Sequence, residues 1–198
     1  MFARFCHKTT LGSIVISVSA PSQTSDGTQV DTSPLSFEGI FDLHYIRIAR
    51  AIARITGDPS RAEELAMEVF WKFWQTPQAH GDNAGGWLYR SAINLGLYEL
   101  RLRARHSRYQ RLLHLAGPST PEQIHSATEE QKQVRRVLAT IKHRDAELLM
   151  LRNNDFTYEE LASILEMNPA SVGTLIGRAR QAFRKEYTKL YGEPRFGK

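Results

Sequence analysis

From Phe37 onward, apolar residues recur at intervals of three and four positions, which is the spacing of an amphipathic α-helix. Such runs continue as far as Tyr191, and no stretch shows the period of two that predicts a β-strand. The first run ends at Gly57, and a second extends from about Arg61 to Gln75, with Ser60 in position to cap its start. The pattern therefore predicts an all-α protein.

A change in composition divides this helical pattern into two parts. Residues 116–130 include Gly, Pro, Ser and Thr in the density typical of a linker, and the apolar spacing resumes after them. We therefore expect two small helical domains, at residues 36–115 and 131–191, joined by a flexible linker. Residues 1–35 are rich in polar residues and only loosely resemble a signal peptide. We therefore expect a disordered extension or an upstream start codon there, in preference to an export signal.

The segment from Gly86 to Arg108 is predicted to be a helix with two different sides. One side is apolar, and the other collects cations and an amide, with Leu97 as its apolar interruption. The candidate nucleic-acid residues on and beside this basic side are Trp87, Arg90, Asn94, Tyr98, Arg101 and Arg105. Cations that track phosphates and aromatics that stack on unpaired bases favour single-stranded DNA as the ligand. The alternative is a solvated basic face on an ordinary core helix.

A helix-turn-helix is predicted near the end of the chain. Thr157 and Glu160 have the spacing of a capping box, and Asn168 with Pro169 suits the start of the following helix. That second helix would expose Ser171, Thr174, Arg178, Gln181 and Arg184. Short polar side chains followed by cations suit a helix that enters the major groove of duplex DNA. The alternative is a helical hairpin with no ligand.

The helix predicted at about Arg61 to Gln75 is apolar on more than one side. Its wide core face would be filled by Leu65, Ala66, Val69, Phe70, Phe73 and Trp74. Met67 and Trp71 then lie one turn apart on the opposite side, among charged residues that include Glu64 and Glu68. An apolar patch with an acidic rim indicates a protein-binding surface, unless Trp71 packs under the linker or the other domain.

Composition narrows the classes of function. The net charge is +5, and its basic excess falls on the two candidate DNA-binding helices, which favours a polyanion touched in two places. Cys6 is the single cysteine and the histidines have no metal-ligand spacing, so we expect no disulfide, metal or cofactor. No apolar run is long enough to span a membrane, and no nucleophile or acid–base pair is evident. These features favour a cytoplasmic protein without enzymatic chemistry or a membrane partner.

Three segments in this order resemble the extracytoplasmic-function sigma factors of bacterial RNA polymerase. They are AEELAMEVFWKFW (62–74), GWLYRSAINLGLYELRLRAR (86–105) and FTYEELASILEMNPASVGTLIGRARQAFRK (156–185). The resemblance covers roughly Phe37 to Tyr191. It implies that residues 36–115 are sigma region 2 and residues 131–191 are sigma region 4.

The resemblance also implies partners and roles for each segment. Glu64, Met67, Glu68 and Trp71 would bind the polymerase β′ clamp, and the β flap is a further expected contact. The linker would thread through polymerase towards the RNA exit path. The helix at 86–105 would recognise and melt the −10 element, and the final helix would read the −35 element. An anti-sigma factor is a further expected partner. Four residues depart from the family pattern: Met67, Tyr98, Gly173 and Leu175.

Three other functions remain open at this point. One is a helix-turn-helix regulator whose N-terminal helical domain dimerises or binds an effector. Another is an enzyme on a helical scaffold, for which the residues offer no support. The third is an inactive sigma-like adaptor, suggested by the departures at Met67, Gly173 and Leu175.

Overall fold

The computed structural model describes residues 36–81, 83–112 and 128–193, and within these ranges every regular element is helical. The helices are α1 (Phe37–Thr56), α2 (Pro59–Trp74), α3 (Ala84–Leu112), α4 (Glu129–Thr140), α5 (His143–Arg152), α6 (Tyr158–Ile164) and α7 (Pro169–Tyr191), with one 3₁₀ turn at Pro77–Ala79. Helices α1–α3 form what we call the first domain, and α4–α7 form the second domain.

The junction between α1 and α2 is set by three consecutive residues. Gly57 ends α1 in the left-handed conformation, with φ at 71°, where a side chain would be strained. Asp58 is the N-cap of α2 and accepts a hydrogen bond from the Arg61 amide at 3.0 Å, with Pro59 in the first turn. The predicted cap at Ser60 is therefore wrong, because Asp58 already has the extended backbone and the acceptor that a cap requires.

The core of the first domain lies between α2 and its two neighbours. Phe70 and Phe73 are fully buried there, with Ile48 and Ile52 of α1 and Leu88 of α3. Trp74 was expected on this core face, but 52% of it is exposed. Phe73 is buried on the core side of α2, and the next residue along a helix is turned by ~100° away from it. The Trp74 ring lies instead beside Trp71, with ring centroids 5.4 Å apart.

The second domain contains the predicted helix-turn-helix. The capping box of Thr157 and Glu160 is present at the start of α6. Asn168 caps α7 by accepting the Ala170 amide at 2.9 Å, and Pro169 occupies the first turn. Glu166 takes a left-handed backbone, with φ at 53°, and so turns the chain between the two helices. These predicted caps are confirmed.

The two domains pack directly against each other. Ile55, Ile93, Leu97 and Leu100 of the first domain belong to the same buried cluster as the core of the second. The Arg135 guanidinium of α4 lies so close to Gly57 that an added Cβ would fall 2.8 Å from its Cζ. The predicted fold class, two small helical domains with a helix-turn-helix in the second, is confirmed. The extension at residues 1–35 and most of the predicted linker lie outside the described residues.

Candidate nucleic-acid interface

The exposed part of α3 forms one wall of a small pocket. Three of the predicted −10 residues, Trp87, Asn94 and Tyr98, line this pocket of 320 Å³. Ser91 of α3 and Lys72 of α2 also contribute to its walls, and the sequence analysis did not select either of them. The arrangement places two aromatic rings, an amide, a hydroxyl and an ammonium group around one concave site.

The two aromatic residues of the pocket are held differently. Trp87 is half-buried, and its ring packs on that of Phe73 with centroids 5.7 Å apart, so the core fixes its position. Tyr98 is 57% exposed. A fixed indole beside an exposed phenol can stack on flat ligands such as unpaired bases, since every base offers a π-face.

The rest of the predicted −10 surface contacts the second domain. Arg90 donates from Nε to Glu147 Oε1 at 3.3 Å and from Nη1 to the Ile164 carbonyl oxygen at 3.0 Å. Its Nη1 also lies 3.5 Å from Glu166 Oε1. Asn94 Nδ2 donates to the same Glu147 oxygen at 2.9 Å. Two residues that the sequence places on a DNA-binding face are therefore bonded to α5 and to the end of α6.

Arg101 contacts the second domain at the junction of α4 and α5. Its Nη2 donates to the carbonyl oxygens of Leu138 and Ile141, which lie at the C-terminal end of α4, where carbonyls lack helical partners. Its Nη1 lies 2.6 Å from Nδ1 of His143. Burial lowers the pKa of Arg101, and burial together with the Arg101 charge lowers that of His143.

Hydrogen bonding determines which tautomer His143 adopts. A guanidinium can only donate, so Nδ1 of His143 must accept from Arg101. Nε2 then carries the proton and donates to Asn94 Oδ1, 2.7 Å away. Arg101, His143, Asn94 and Glu147 thus form one continuous chain of hydrogen bonds across the domain contact, and that chain requires a neutral imidazole.

Leu97 and Arg105 show the limits of the predicted basic stripe. Leu97 is completely buried against the second domain, so the stripe is interrupted where the domains meet. Arg105 lies farther along α3 and is exposed, and no hydrogen bond or ion pair to it is seen within the described residues. Within the part of the chain that the structure describes, Trp87, Tyr98 and Arg105 are thus the predicted −10 residues without a hydrogen bond to the second domain.

Glu147 is the residue of this region that sequence reasoning missed. It is only 7% exposed and lies between the buried residues Ala146 and Leu148 of α5. A carboxylate at a buried helical position needs a cationic or hydrogen-bonding partner, because burial of an unpaired charge is very costly. That signal was present in the sequence, although it does not identify the partner.

The exposed side of α2 carries the predicted protein-binding patch. Met67 and Trp71 are each 42% exposed, and Trp74 extends the patch. Glu64 pairs with Arg61 at 2.6 Å, and Glu68 pairs with Lys72 at 2.9 Å. The patch is therefore larger and more aromatic than predicted, and its acidic rim is partly neutralised by neighbours on the same helix.

Helix α7 presents the five predicted −35 residues to solvent. Ser171, Thr174, Arg178, Gln181 and Arg184 are all exposed, while Val172, Ile176 and Ala179 on the other side are buried. Gln181 and Arg184 also line an open groove of 1260 Å³ between the domains, together with Arg50, Arg54 and Arg135. Ser171, Thr174 and Arg178 lie outside that groove.

Comparison with known proteins identifies the family. Residues 40–106 match the family model of sigma-70 region 2, and residues 131–183 match that of sigma-70 region 4, which together cover more than half of the chain. The RNA polymerase sigma factor YlaC of Bacillus subtilis is 27% identical over 81% of this chain and 96% of its own length. The ECF RNA polymerase sigma factor SigE of Mycolicibacterium smegmatis is 26% identical over 85% of this chain and 68% of its own. The chain is an extracytoplasmic-function sigma factor of the sigma-70 family.

A solved structure is also similar to this sigma factor. It is the sigma factor RpoE of Bartonella quintana in complex with the anti-sigma factor NepR, with a TM-score of 0.46 and 17% identity. The similarity covers 78% of this chain and 98% of that one.

Family membership decides between the functions that the sequence left open. This sigma factor directs RNA polymerase to promoters and is not an enzyme, and the alternative of a dimerising helix-turn-helix regulator is not favoured. Its partners are core RNA polymerase and promoter DNA. In the described part of the chain, no helix is both long and apolar enough to cross a membrane.

Proposed function

We propose that the pocket between α2 and α3 captures an unpaired base of the −10 element. The observation that carries this proposal is the position of Trp87, Asn94 and Tyr98 around one pocket of 320 Å³. Stacking of a base on an aromatic ring contributes ~1–3 kcal/mol, which can offset the cost of unpairing that base. Arg90, Arg101 and Arg105 would hold the phosphates of the same strand.

The patch of Met67, Trp71 and Trp74 is the proposed contact with the polymerase β′ clamp. Large exposed aromatic and thioether side chains are enriched at protein interfaces and give most of the binding energy there. Glu64 and Glu68 make this surface unfavourable for DNA, since each carboxylate repels phosphate. Ion pairs on α2 would fix the positions of both carboxylates before polymerase binds.

The outer side of α7 is the proposed reader of the −35 duplex. Ser171 and Thr174 lie near the N-terminal end of the helix, where short side chains allow close approach to base edges. Arg178 can reach a base edge or a phosphate, and Gln181 and Arg184 would contact the strand beyond it. The linker would then thread through polymerase towards the RNA exit path, and the complex would act in the cytoplasm.

An open-complex assay tests the proposed base pocket. Core polymerase is combined with this sigma factor and fragmented genomic DNA, transcription starts are mapped, and permanganate reactivity of unpaired thymines is measured at one of those promoters. The Tyr98→Ala variant should lower that reactivity about tenfold, the loss expected when one stacking contact is removed. Tyr109→Ala is the matched control, because Tyr109 is an exposed tyrosine of the same helix outside the pocket. Equal reactivity of the two variants would contradict the assignment.

A further inference from the structure

The open groove of 1260 Å³ between the domains collects cations from three helices, and we call it the arginine groove. Two of its arginines come from α1, one from α4 and two from α7: Arg50, Arg54, Arg135, Arg180 and Arg184. Among the lining residues that the structure describes, Glu130 is the only carboxylate. Five guanidinium groups and one carboxylate give the groove a strong local excess of positive charge, which favours an anionic ligand.

The arginines of this groove lack the partners that other arginines of the chain have. Arg61, Arg90 and Arg103 are partly buried, and each of them pairs with a carboxylate. Within residues 36–81, 83–112 and 128–193, no hydrogen bond or ion pair is seen for any of the five groove arginines. Their guanidinium groups are therefore available to an acceptor that the described part of the chain does not supply.

Arg135 is the groove arginine that most needs such an acceptor. It is half-buried, and its guanidinium lies against the end of α1, where an added Cβ at Gly57 would fall 2.9 Å from Nε. Burial lowers the pKa of Arg135, and no neighbouring charge or hydrogen bond offsets this effect. Partial burial of a cation without an acceptor is costly, so an anion bound beside Arg135 would remove an existing penalty.

The less exposed lining of the arginine groove is apolar and aromatic. Its aliphatic and thioether side chains are Ala53, Val134, Leu138, Leu149 and Met150. The half-buried rings of Phe183 and Tyr187 lie nearly parallel, with centroids 6.2 Å apart. Tyr187 Oη donates to Gln133 Oε1 at 2.8 Å, which fixes the position of that ring. An apolar floor below a rim of cations suits a ligand with a flat organic part and a strongly anionic part.

The positions of the cations favour a compact ligand over duplex DNA. A duplex is followed by cations spaced along an exposed surface, in line with its phosphates. The five arginines instead come from three helices around one concavity, where they can contact a short chain of phosphates from several sides. The planar guanidinium fork is suited to such contacts, because it can donate two parallel hydrogen bonds to one phosphate.

We propose that the arginine groove is a binding site for a nucleoside polyphosphate. Its phosphates contact the arginines, with Arg135 as the central donor, and its base lies on the apolar floor. This site goes beyond the proposed roles of α2, α3 and α7 and does not depend on them. Because the ligand contacts Arg54 of the first domain and Arg135 of the second, its binding stabilises their contact by mass action.

Isothermal titration calorimetry of the full chain tests this site, at physiological ionic strength and without divalent cations. The probes are ATP, GTP, inorganic tripolyphosphate and adenosine. At least one of the two nucleotides should bind saturably with one site per chain. Tripolyphosphate should bind more weakly because it lacks the base, and adenosine should not bind because it lacks the phosphates. The nucleotide that binds should also raise the thermal midpoint of unfolding as its concentration rises.

Variants of the groove locate the binding site. Arg135→Ala and Arg54→Ala should each lower the nucleotide affinity about tenfold, since each removes a charge-assisted hydrogen bond. Arg135→Lys keeps the charge but loses the planar fork, so its loss should be smaller. The matched control is Arg136→Ala, because Arg136 is an exposed arginine of the same helix outside the groove. Arg54 is exposed, so Arg54→Ala keeps the test valid if Arg135→Ala fails to fold.

Three results would overturn the proposal. If neither ATP nor GTP binds saturably, the groove is not a nucleotide site. If Arg136→Ala lowers affinity as much as Arg135→Ala does, or tripolyphosphate binds as tightly as the nucleotides, a basic protein is attracting anions in general. If Arg135→Ala and Arg54→Ala weaken binding of random duplex DNA and leave nucleotide binding unchanged, the groove is a DNA contact. None of these results would contradict the proposed base pocket, which Tyr98→Ala tests separately.

Discussion

Nη1 of Arg101 lies 2.6 Å from Nδ1 of His143, so a cation of the first domain donates to a neutral imidazole of the second. The groups around this imidazole are Arg101 and Asn94 from α3 and Glu147 from α5. Burial is the largest cause of the lowered pKa of His143, and the Arg101 charge adds to it, while the Glu147 charge opposes both. The hydrogen bonds through His143 thus require the neutral form of this one side chain.

The contact between the two domains should weaken in acid. The pKa of His143 lies below its ordinary value of 6.5 while the domains are in contact, so the protein with separated domains would bind more protons between those two pH values. The stabilisation from His143 is therefore fully present above about pH 6.5 and is lost as the pH falls through the lowered pKa. Small-angle scattering across this range should show an increase in the radius of gyration on acidification.

The His143→Gln variant is the control for this titration. Glutamine also offers an acceptor and a donor but has no proton to gain in this range. The acid-dependent expansion should be absent from the variant. His44 also has a lowered pKa, from burial and the Arg47 charge, but it lies between helices of the first domain and should affect thermal stability more than domain separation. An unchanged expansion in His143→Gln would assign the effect to another group.

A second ionisable group holds the first domain together. Burial alone would raise the pKa of Glu99, but hydrogen bonds from Arg103 at 2.9 Å and Arg61 at 3.3 Å outweigh it and lower that pKa. Stability from Glu99 is therefore present above its ordinary pKa of about 4.5 and is lost as the pH falls through the lowered value.

The Glu99→Gln variant should lower the free energy of unfolding by about 1–3 kcal/mol at neutral pH, the usual cost of weakening hydrogen bonds to a buried charged group. Urea denaturation measures this loss. The difference from the wild type should shrink as the pH approaches the range in which Glu99 itself protonates. Glu63→Gln, an exposed carboxylate on α2, is the control and should change stability little.

Local signals in the sequence were sufficient to predict most of the helical elements. The caps at Thr157 and Asn168 depend only on the side chains and backbone of a few neighbouring residues, and both were predicted. The boundary at Ser60 was misplaced because Asp58 is an equally good cap, two residues earlier and followed by proline. Local patterns thus predict that a helix begins in this region. Its first residue depends on which of the neighbouring candidate residues, Asp58 or Ser60, acts as the N-cap.

Contacts between distant segments were the part that periodicity could not predict. Leu97 interrupts the basic stripe, but the cluster that buries it includes residues of the second domain, and a helical wheel carries no information about such distant partners. On a helical wheel, Arg90 and Asn94 occupy the same positions whether their side chains contact solvent, DNA or Glu147. Tertiary packing decides whether solvent, DNA or another part of the protein contacts the basic side of α3. The assignment of the DNA-binding residues therefore stays a prediction.

The aromatic patch on α2 can be tested through polymerase binding. Trp71→Ala should weaken the affinity for core polymerase by tenfold or more, since exposed tryptophans at an interface often contribute about 2 kcal/mol or more. Trp74→Ala should have a similar effect, because the two rings lie side by side. Fluorescence anisotropy of labelled sigma factor with core polymerase measures both affinities.

Leu43→Ala is the control for this patch. Leu43 is 58% exposed on α1, so its truncation removes a comparable apolar surface from the same domain without touching α2. Circular dichroism should show unchanged helicity in all three variants. If Leu43→Ala weakens binding as much as Trp71→Ala does, the contact with polymerase is wider than the α2 patch.

The recognition helix α7 gives the last prediction, which concerns sequence specificity. Arg178 lies one helical turn beyond Thr174 on the exposed side of α7, where a long cationic side chain can reach a base edge in the major groove. If it does so, Arg178→Ala should lower the affinity for a cognate −35 duplex by ~1–3 kcal/mol and relax preference at one base pair. If Arg178 contacts a phosphate instead, the variant should bind all duplexes more weakly by about the same factor, and its affinity should depend less on salt.

Titration of the full chain with cognate and single-substituted duplexes at several salt concentrations separates these cases. Arg144→Ala, which removes an exposed arginine of α5, should leave both affinity and preference unchanged, and a loss of the same size there would mean that α7 is not the reading helix.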